Sequence, residues 1–338
     1  MAAYTTINDP ELYFQTKLYT GDGSTQSITL DGSEDMQPDF VWIKSRADTN
    51  PHTLVDSVRG ATKIIWTNVN STEGTYTDEV TAFNSNGFSL GASSNAYTNE
   101  NTETYVSWNW KESATAGFDI VLYTGTGSNL DASHNLSAVP DFFMIKQRSY
   151  DQAWRVYHKN MTTADPYSNR MVISEDGAET TSALGLDADP TSSVINIGTG
   201  TGCTNDNGET YVSYLWAEKQ GFSKFGIYTG NGSTDGTFIY TGFRPAFLMV
   251  KRTSSTENWY MKDNKRDPYN EMNQSVLYAN GNAAEDTGGA WLKGDATANG
   301  FKIRINDTSS NGSGSTYIYM AFAEAPFVNS EGVPCNAR

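Results

Sequence analysis

Pro38-Asp39-Phe40-Val41-Trp42-Ile43-Lys44 returns as Pro140-Asp141-Phe142-Phe143-Met144-Ile145-Lys146 and again as Pro245-Ala246-Phe247-Leu248-Met249-Val250-Lys251. Each run is an unbroken apolar stretch that opens at a proline and ends in a lysine. Such a run reads as a strand covered on both faces, or on one face by its own core and on the other by an inter-domain contact. The proline at its start costs no ladder hydrogen bond. Two further landmarks travel with it. Ahead lie Tyr19-Thr-Gly-Asp-Gly-Ser24, Tyr123-Thr-Gly-Thr-Gly-Ser128 and Tyr228-Thr-Gly-Asn-Gly-Ser233, and behind lie Tyr105-Val-Ser-Trp-Asn-Trp110, Tyr211-Val-Ser-Tyr-Leu-Trp216 and Tyr317-Ile-Tyr-Met-Ala-Phe322. Tyr19, Tyr123 and Tyr228 are 104 and 105 residues apart, and Tyr105, Tyr211 and Tyr317 are 106 apart at each step. A period this long exceeds that of a solenoid repeat and suits a unit with its own core.

Between landmarks, short β-branched and aromatic runs alternate with Gly, Asn, Asp and Ser clusters. The pattern predicts an all-β chain of three tandem β-sandwich, jelly-roll or lectin-like domains. The expected division is a leader over 1–17, repeats over 18–113, 114–219 and 220–327, and a tail over 328–338. Pro10-Glu11-Leu12-Tyr13-Phe14 can make one helical turn within the leader. The junctions Ser113-Ala-Thr-Ala-Gly117 and Glu218-Lys-Gln-Gly221 are too short for independent swinging, so the units should pack as one rigid rod or trefoil. Repeat one diverges: where the others carry Trp154-Arg155-Val156-Tyr157 and Trp259-Tyr260-Met261-Lys262, it has a run beginning at His52.

The 338 residues carry a formal charge of -16, with 37% hydrophobic and 12% aromatic residues. That acidity argues against nucleic acid, which needs clustered Lys and Arg. The absence of a long apolar run argues against membrane insertion. Met1 to Pro10 lack the basic and apolar regions of a signal peptide, so the expected route is synthesis in a cytoplasm without secretion. Cys203 and Cys335 read as unpaired thiols.

What recurs is scaffold. The Gly-x-Gly openings lack the lysine and helix of a phosphate loop and read as strand-to-turn devices. His52, His134 and His158 share no spacing, so no repeated metal site is expected, and no nucleophile turn with a histidine in its unit supports a catalytic triad. Catalytic and metal-binding residues are therefore expected to be none. No cofactor is expected either, apart from the oxygen ligands that Asp- and Asn-rich loops can offer calcium. Aromatics remain. Trp108, Trp110 and Trp216 lie in repeated strands and should be buried, and Trp154 and Trp259 are equivalent to each other. Trp66, Tyr97 and Trp291 have no counterpart in the other copies and flank polar loops, which makes them the candidate ligand contacts.

As a set, the three landmarks together with Val58-Arg59-Gly60-Ala61, Asn86-Gly87-Phe88-Ser89-Leu90-Gly91 and the ending Tyr317 to Phe327 resemble a domain found, often in tandem, in virion proteins of bacteriophages, notably phages of marine bacteria. The resemblance covers about residues 18–327. It implies a lectin-like β-sandwich in a tail-fibre-like structural protein on the particle. It also implies other virion proteins and further copies of the chain as partners, and a host surface glycan as target. A capsid-decorating knob and, in another class, a glycan depolymerase are the alternatives. Ala246 in place of the aspartate and the adjacent Lys251-Arg252 show that the copies have drifted.

Overall fold

The computed structural model describes residues 3–161, 169–181, 185–199, 203–288 and 292–335. It is nearly all β, built of antiparallel sheets. The first segment holds β1 (Phe14–Thr20), β2 (Gln26–Thr29), β3 (Phe40–Ser45), β4 (Thr53–Asp56), β5 (Lys63–Trp66), β6 (Gly74–Thr75), β7 (Val80–Asn84), β8 (Gly87–Leu90) and β9 (Thr104–Trp110). The second holds β10 (Phe118–Thr124), β11 (Leu130–Ser133), β12 (Phe142–Gln147), β13 (Arg155–His158), β14 (Val194–Ile197) and β15 (Thr210–Trp216). The third holds β16 (Ser223–Thr229), β17 (Phe238–Tyr240), β18 (Phe243–Arg252), β19 (Tyr260–Asp263), β20 (Leu277–Tyr278), β21 (Gly294–Thr297), β22 (Gly300–Ile303) and β23 (Thr316–Pro326).

Each segment repeats one plan: a larger sheet ordered β1-β9-β3-β4-β5-β6, β10-β15-β12-β13 or β16-β23-β18-β19-β20, and a smaller sheet that includes β2-β8-β7, β11-β14 or β17-β22-β21. The registers coincide. Phe40, Phe142 and Phe247 stand opposite Trp110, Trp216 and Phe322. Tyr19, Tyr123 and Tyr228 stand opposite Tyr105, Tyr211 and Tyr317 and stack on them at 5.1, 4.9 and 4.9 Å, which explains why both tyrosines recur.

The two faces of the Phe40 strand have different partners. One turns Val41 and Ile43 to a segment core that includes Ile28, Val80, Phe88 and Leu90 of the smaller sheet. The other turns Phe40 and Trp42 to a central cluster shared with Phe142, Trp216, Phe247 and Phe322. Segments two and three have satellite cores of their own. The largest core thus draws on all three segments.

Contacts between segments close a ring. Trp154 donates its indole N–H to the Trp66 carbonyl at 2.8 Å, and Trp259 donates to the Val172 carbonyl at 3.1 Å. His52, at the same register position, lies against the backbone of Tyr278 and Gly281. Glu73, Glu179 and Glu285, 106 residues apart, donate their amides to the carbonyls of Arg148, Thr253 and Arg46. One follows two, two follows three and three follows one, so the arrangement is the trefoil and not the rod.

Two boundaries differ from expectation. The strand starts at Phe14, inside the predicted leader, because Phe14 pairs with Trp110 and enters the central cluster together with Ile7. Pro10–Leu12 does form a short helical turn, capped by Asp9. In segment three the strand begins at Phe243, ahead of the proline, and Pro245 sits at a register shift where its missing N–H is tolerated.

The Gly-x-Gly loops are scaffold on geometric grounds. A Cβ on Gly21, Gly125 or Gly230 would lie 2.2, 2.3 or 2.4 Å from a facing carbonyl oxygen. Gly23, Gly127 and Gly232 take left-handed φ of 67–68°. The amide between them is already taken, by the side-chain oxygens of Asn99, Asn205 and Asn311 at 2.8–3.0 Å. These asparagines recur at 106-residue intervals and were not singled out in the sequence.

Candidate aromatic pocket

Trp66 and Tyr97 come together on segment one, and Tyr76 joins them. The ring centroids are 5.7 Å apart for Trp66–Tyr76, 5.9 Å for Trp66–Tyr97 and 5.8 Å for Tyr76–Tyr97, all edge to face. The three rings line a concave pocket of about 360 Å³, completed by Pro51, Val69, Ser71, Thr72 and Gly74. None of these residues is charged. Trp66 is only 7% exposed and forms the floor, whereas Tyr76 and Tyr97 are half-buried walls. Trp66 is therefore packed more tightly than its place beside a polar loop suggested. Trp291 lies outside the described residues.

Each wall has a local cause. Tyr76 lies flat across Gly74, where a Cβ would meet the ring at 2.3 Å. Tyr97 rides on a loop in which Ser93 and Ala96 both adopt left-handed φ, 45° and 60°, a conformation disfavoured for residues with a Cβ. The buried carboxylate of Glu79 holds that loop by accepting hydrogen bonds from Ser93 and Thr98, each at 2.7 Å. Burial, then Tyr76 and Glu79, raises the Tyr97 pKa, so its phenol keeps its proton at neutral pH.

Segment two fixes the floor and the rim. Trp154 holds the Trp66 carbonyl, and Thr72 donates its amide to Asp151 at 2.7 Å. Arg148 grips Glu73 in a bidentate pair at 2.8 and 2.9 Å, and Arg59 adds a third bond at 3.0 Å. Burial opposes ionisation of Glu73, but the two guanidinium groups outweigh it and hold the carboxyl below its ordinary range. Lys146 bonds the Asn70 carbonyl at 3.0 Å. The pocket belongs to segment one and is held rigid across the seam.

The other copies do not keep it. By the 106-residue offset, Trp66 corresponds to Val172 and Tyr278, Tyr76 to Ser182 and Gly288, and Tyr97 to Cys203 and Ser309. Segment three keeps an aromatic ring at the Trp66 position, Tyr278, but neither other copy carries the set of three, so the scaffold does not require the cluster. Tyr76 was missed in the sequence although the same offset carries its signal.

Several buried polar groups outside the pocket have structural surroundings. Trp42 donates its indole N–H to His52 Nδ1 at 2.8 Å. Burial pushes the pKa of His52 well below normal and that of His158 down to about 3. Glu112 is pushed up to about 8, mainly by burial and then by its hydrogen bond to Asp119. Among the described residues, no group of three or more His, Cys, Asp or Glu side chains is placed to hold a metal ion, and no helix is long and apolar enough to cross a membrane.

No curated protein matches the sequence. The chain does match, over residues 9–326, a single domain of unknown function, DUF7483, a span that takes in all three segments and the pocket; it belongs to that family.

Proposed function

We propose that the chain is a non-catalytic structural protein of a bacteriophage particle, tail-fibre-like, that uses the segment-one pocket to hold a host-surface glycan. The observation that carries the reading is the cluster of Trp66, Tyr76 and Tyr97 around an open 360 Å³ pocket in one copy of a scaffold that does without it twice. Aromatic faces with a few polar groups at the rim are how rigid proteins hold sugar rings. The ring of segments gives such a site the stiffness adhesion needs, and the resemblance to tandem virion domains supplies the setting. Other virion proteins and further copies of the chain are the partners this implies.

The test is adhesion itself. Fluorescently labelled protein should bind host envelope preparations and should lose most of that binding in the Tyr97→Ala variant. It should release no new reducing ends from the polysaccharide. Equal binding by both proteins would remove the pocket from the reading, and sustained release would replace the adhesin with a depolymerase. Antibody labelling of particles at the capsid shell instead of the tail would favour the decorating-knob alternative.

A further inference from the structure

We infer that the segment-one pocket takes the ring of an uncharged sugar; the inference rests on the adhesion reading and names the chemistry of its ligand. The lining carries no charged residue, and the chain as a whole is at -16. Sialic acid, a uronic acid or a phosphorylated sugar would leave its anion unpaired there, in a repulsive field. Of the carboxylates beside the rim, Asp151 accepts the Thr72 amide, and Glu73 is gripped by Arg148 and Arg59, whose guanidinium groups are thereby occupied. A sugar acid thus finds neither a free cation at the lining nor one easily released.

An organic cation is the competing occupant, because three aromatic rings beside an acidic surface suggest an ammonium cage. The charges argue otherwise. The lining holds no carboxylate to pair with an ammonium, and Glu73 beside it is already neutralised by Arg148 and Arg59. The edge-to-face rings instead offer a continuous concave apolar wall. The phenols of Tyr76 and Tyr97 and the hydroxyls of Ser71 and Thr72 supply neutral donors and acceptors around it. A ring with C–H bonds on one face and hydroxyls at its edge matches that arrangement.

The experiment is titration calorimetry of the full chain with methyl hexopyranosides, neutral oligosaccharides, glucuronic acid, N-acetylneuraminic acid and choline. The expected result is binding of at least one neutral sugar. Affinity should be roughly tenfold weaker in Tyr97→Ala, with a smaller loss in Tyr97→Phe, which keeps the ring. Gly74→Ala, which displaces the Tyr76 ring, should weaken binding in the same way. Matched melting temperatures of the Tyr97 variants show that they fold. Preferred binding of choline or an acidic sugar, still sensitive to Tyr97, would overturn the neutral-sugar inference and leave the pocket as the binding site. Absence of Tyr97-sensitive binding for every probe would overturn both.

Discussion

Trp110→Ala distinguishes one cooperative body from three independent ones. The indole is 2% exposed and touches rings from every segment: Phe14 at 4.7 Å and Phe40 at 5.4 Å in its own, Trp216 at 6.2 Å in the second, Phe247 at 5.7 Å and Phe322 at 5.4 Å in the third. Truncation removes a large buried side chain and leaves a cavity, at a cost of about 3–5 kcal/mol. Differential scanning calorimetry reads how that loss is shared. If the segments melt together, unfolding entropy scales with the whole chain, and the single endotherm moves down by roughly 4–7 °C. If segment one melts alone, its smaller entropy turns the same loss into a drop of roughly 15–20 °C for about a third of the heat, the remainder staying in place. The shared core predicts the first outcome. A split endotherm would refute it.

Other expectations follow from particular groups. Lys44, Lys146 and Lys251 are equivalent and buried, are bonded to backbone carbonyls, and have pKa values lowered to about 8, chiefly by burial. Between pH 8 and the unfolded value of 10.5 the unfolded chain holds more protons, so stability should rise with pH, by at most on the order of 3 kcal/mol per lysine. Denaturant titrations from pH 7.5 to 10 should show that rise and its reduction by about a third in Lys146→Met; a flat profile would contradict the burial argument. Glu112 has the opposite sign: its pKa, raised to about 8 first by burial and then by Asp119, makes stability fall as pH rises from the ordinary carboxyl range to 8, and Glu112→Gln should remove that fall. Trp66→Ala, at a residue 93% buried, should cost about 3 kcal/mol or more in equilibrium unfolding. A loss near zero would mean that the ring serves the pocket alone.

Features with a local cause were legible in the sequence. The glycines recur because one faces a carbonyl oxygen and the next takes a left-handed φ, and the tyrosines recur because they stack across one strand pair. The apolar run from Phe40 to Ile43 announced two covered faces. Tyr97 stood out because its equivalents, Cys203 and Ser309, are not aromatic, and Trp66 because no other copy has a tryptophan there. Tertiary structure alone decided which segment covers which. No residue type encodes that His52 meets segment three while Trp154 meets segment one; ring closure depends on the angle at which each sheet leaves its junction, and that angle is set by the packing of all three together. The same holds for the pocket. Tyr76 becomes a wall because Gly74 lets its ring lie flat and because Arg148, in another segment, grips Glu73 between them, and contacts that distant leave no pattern in the local sequence.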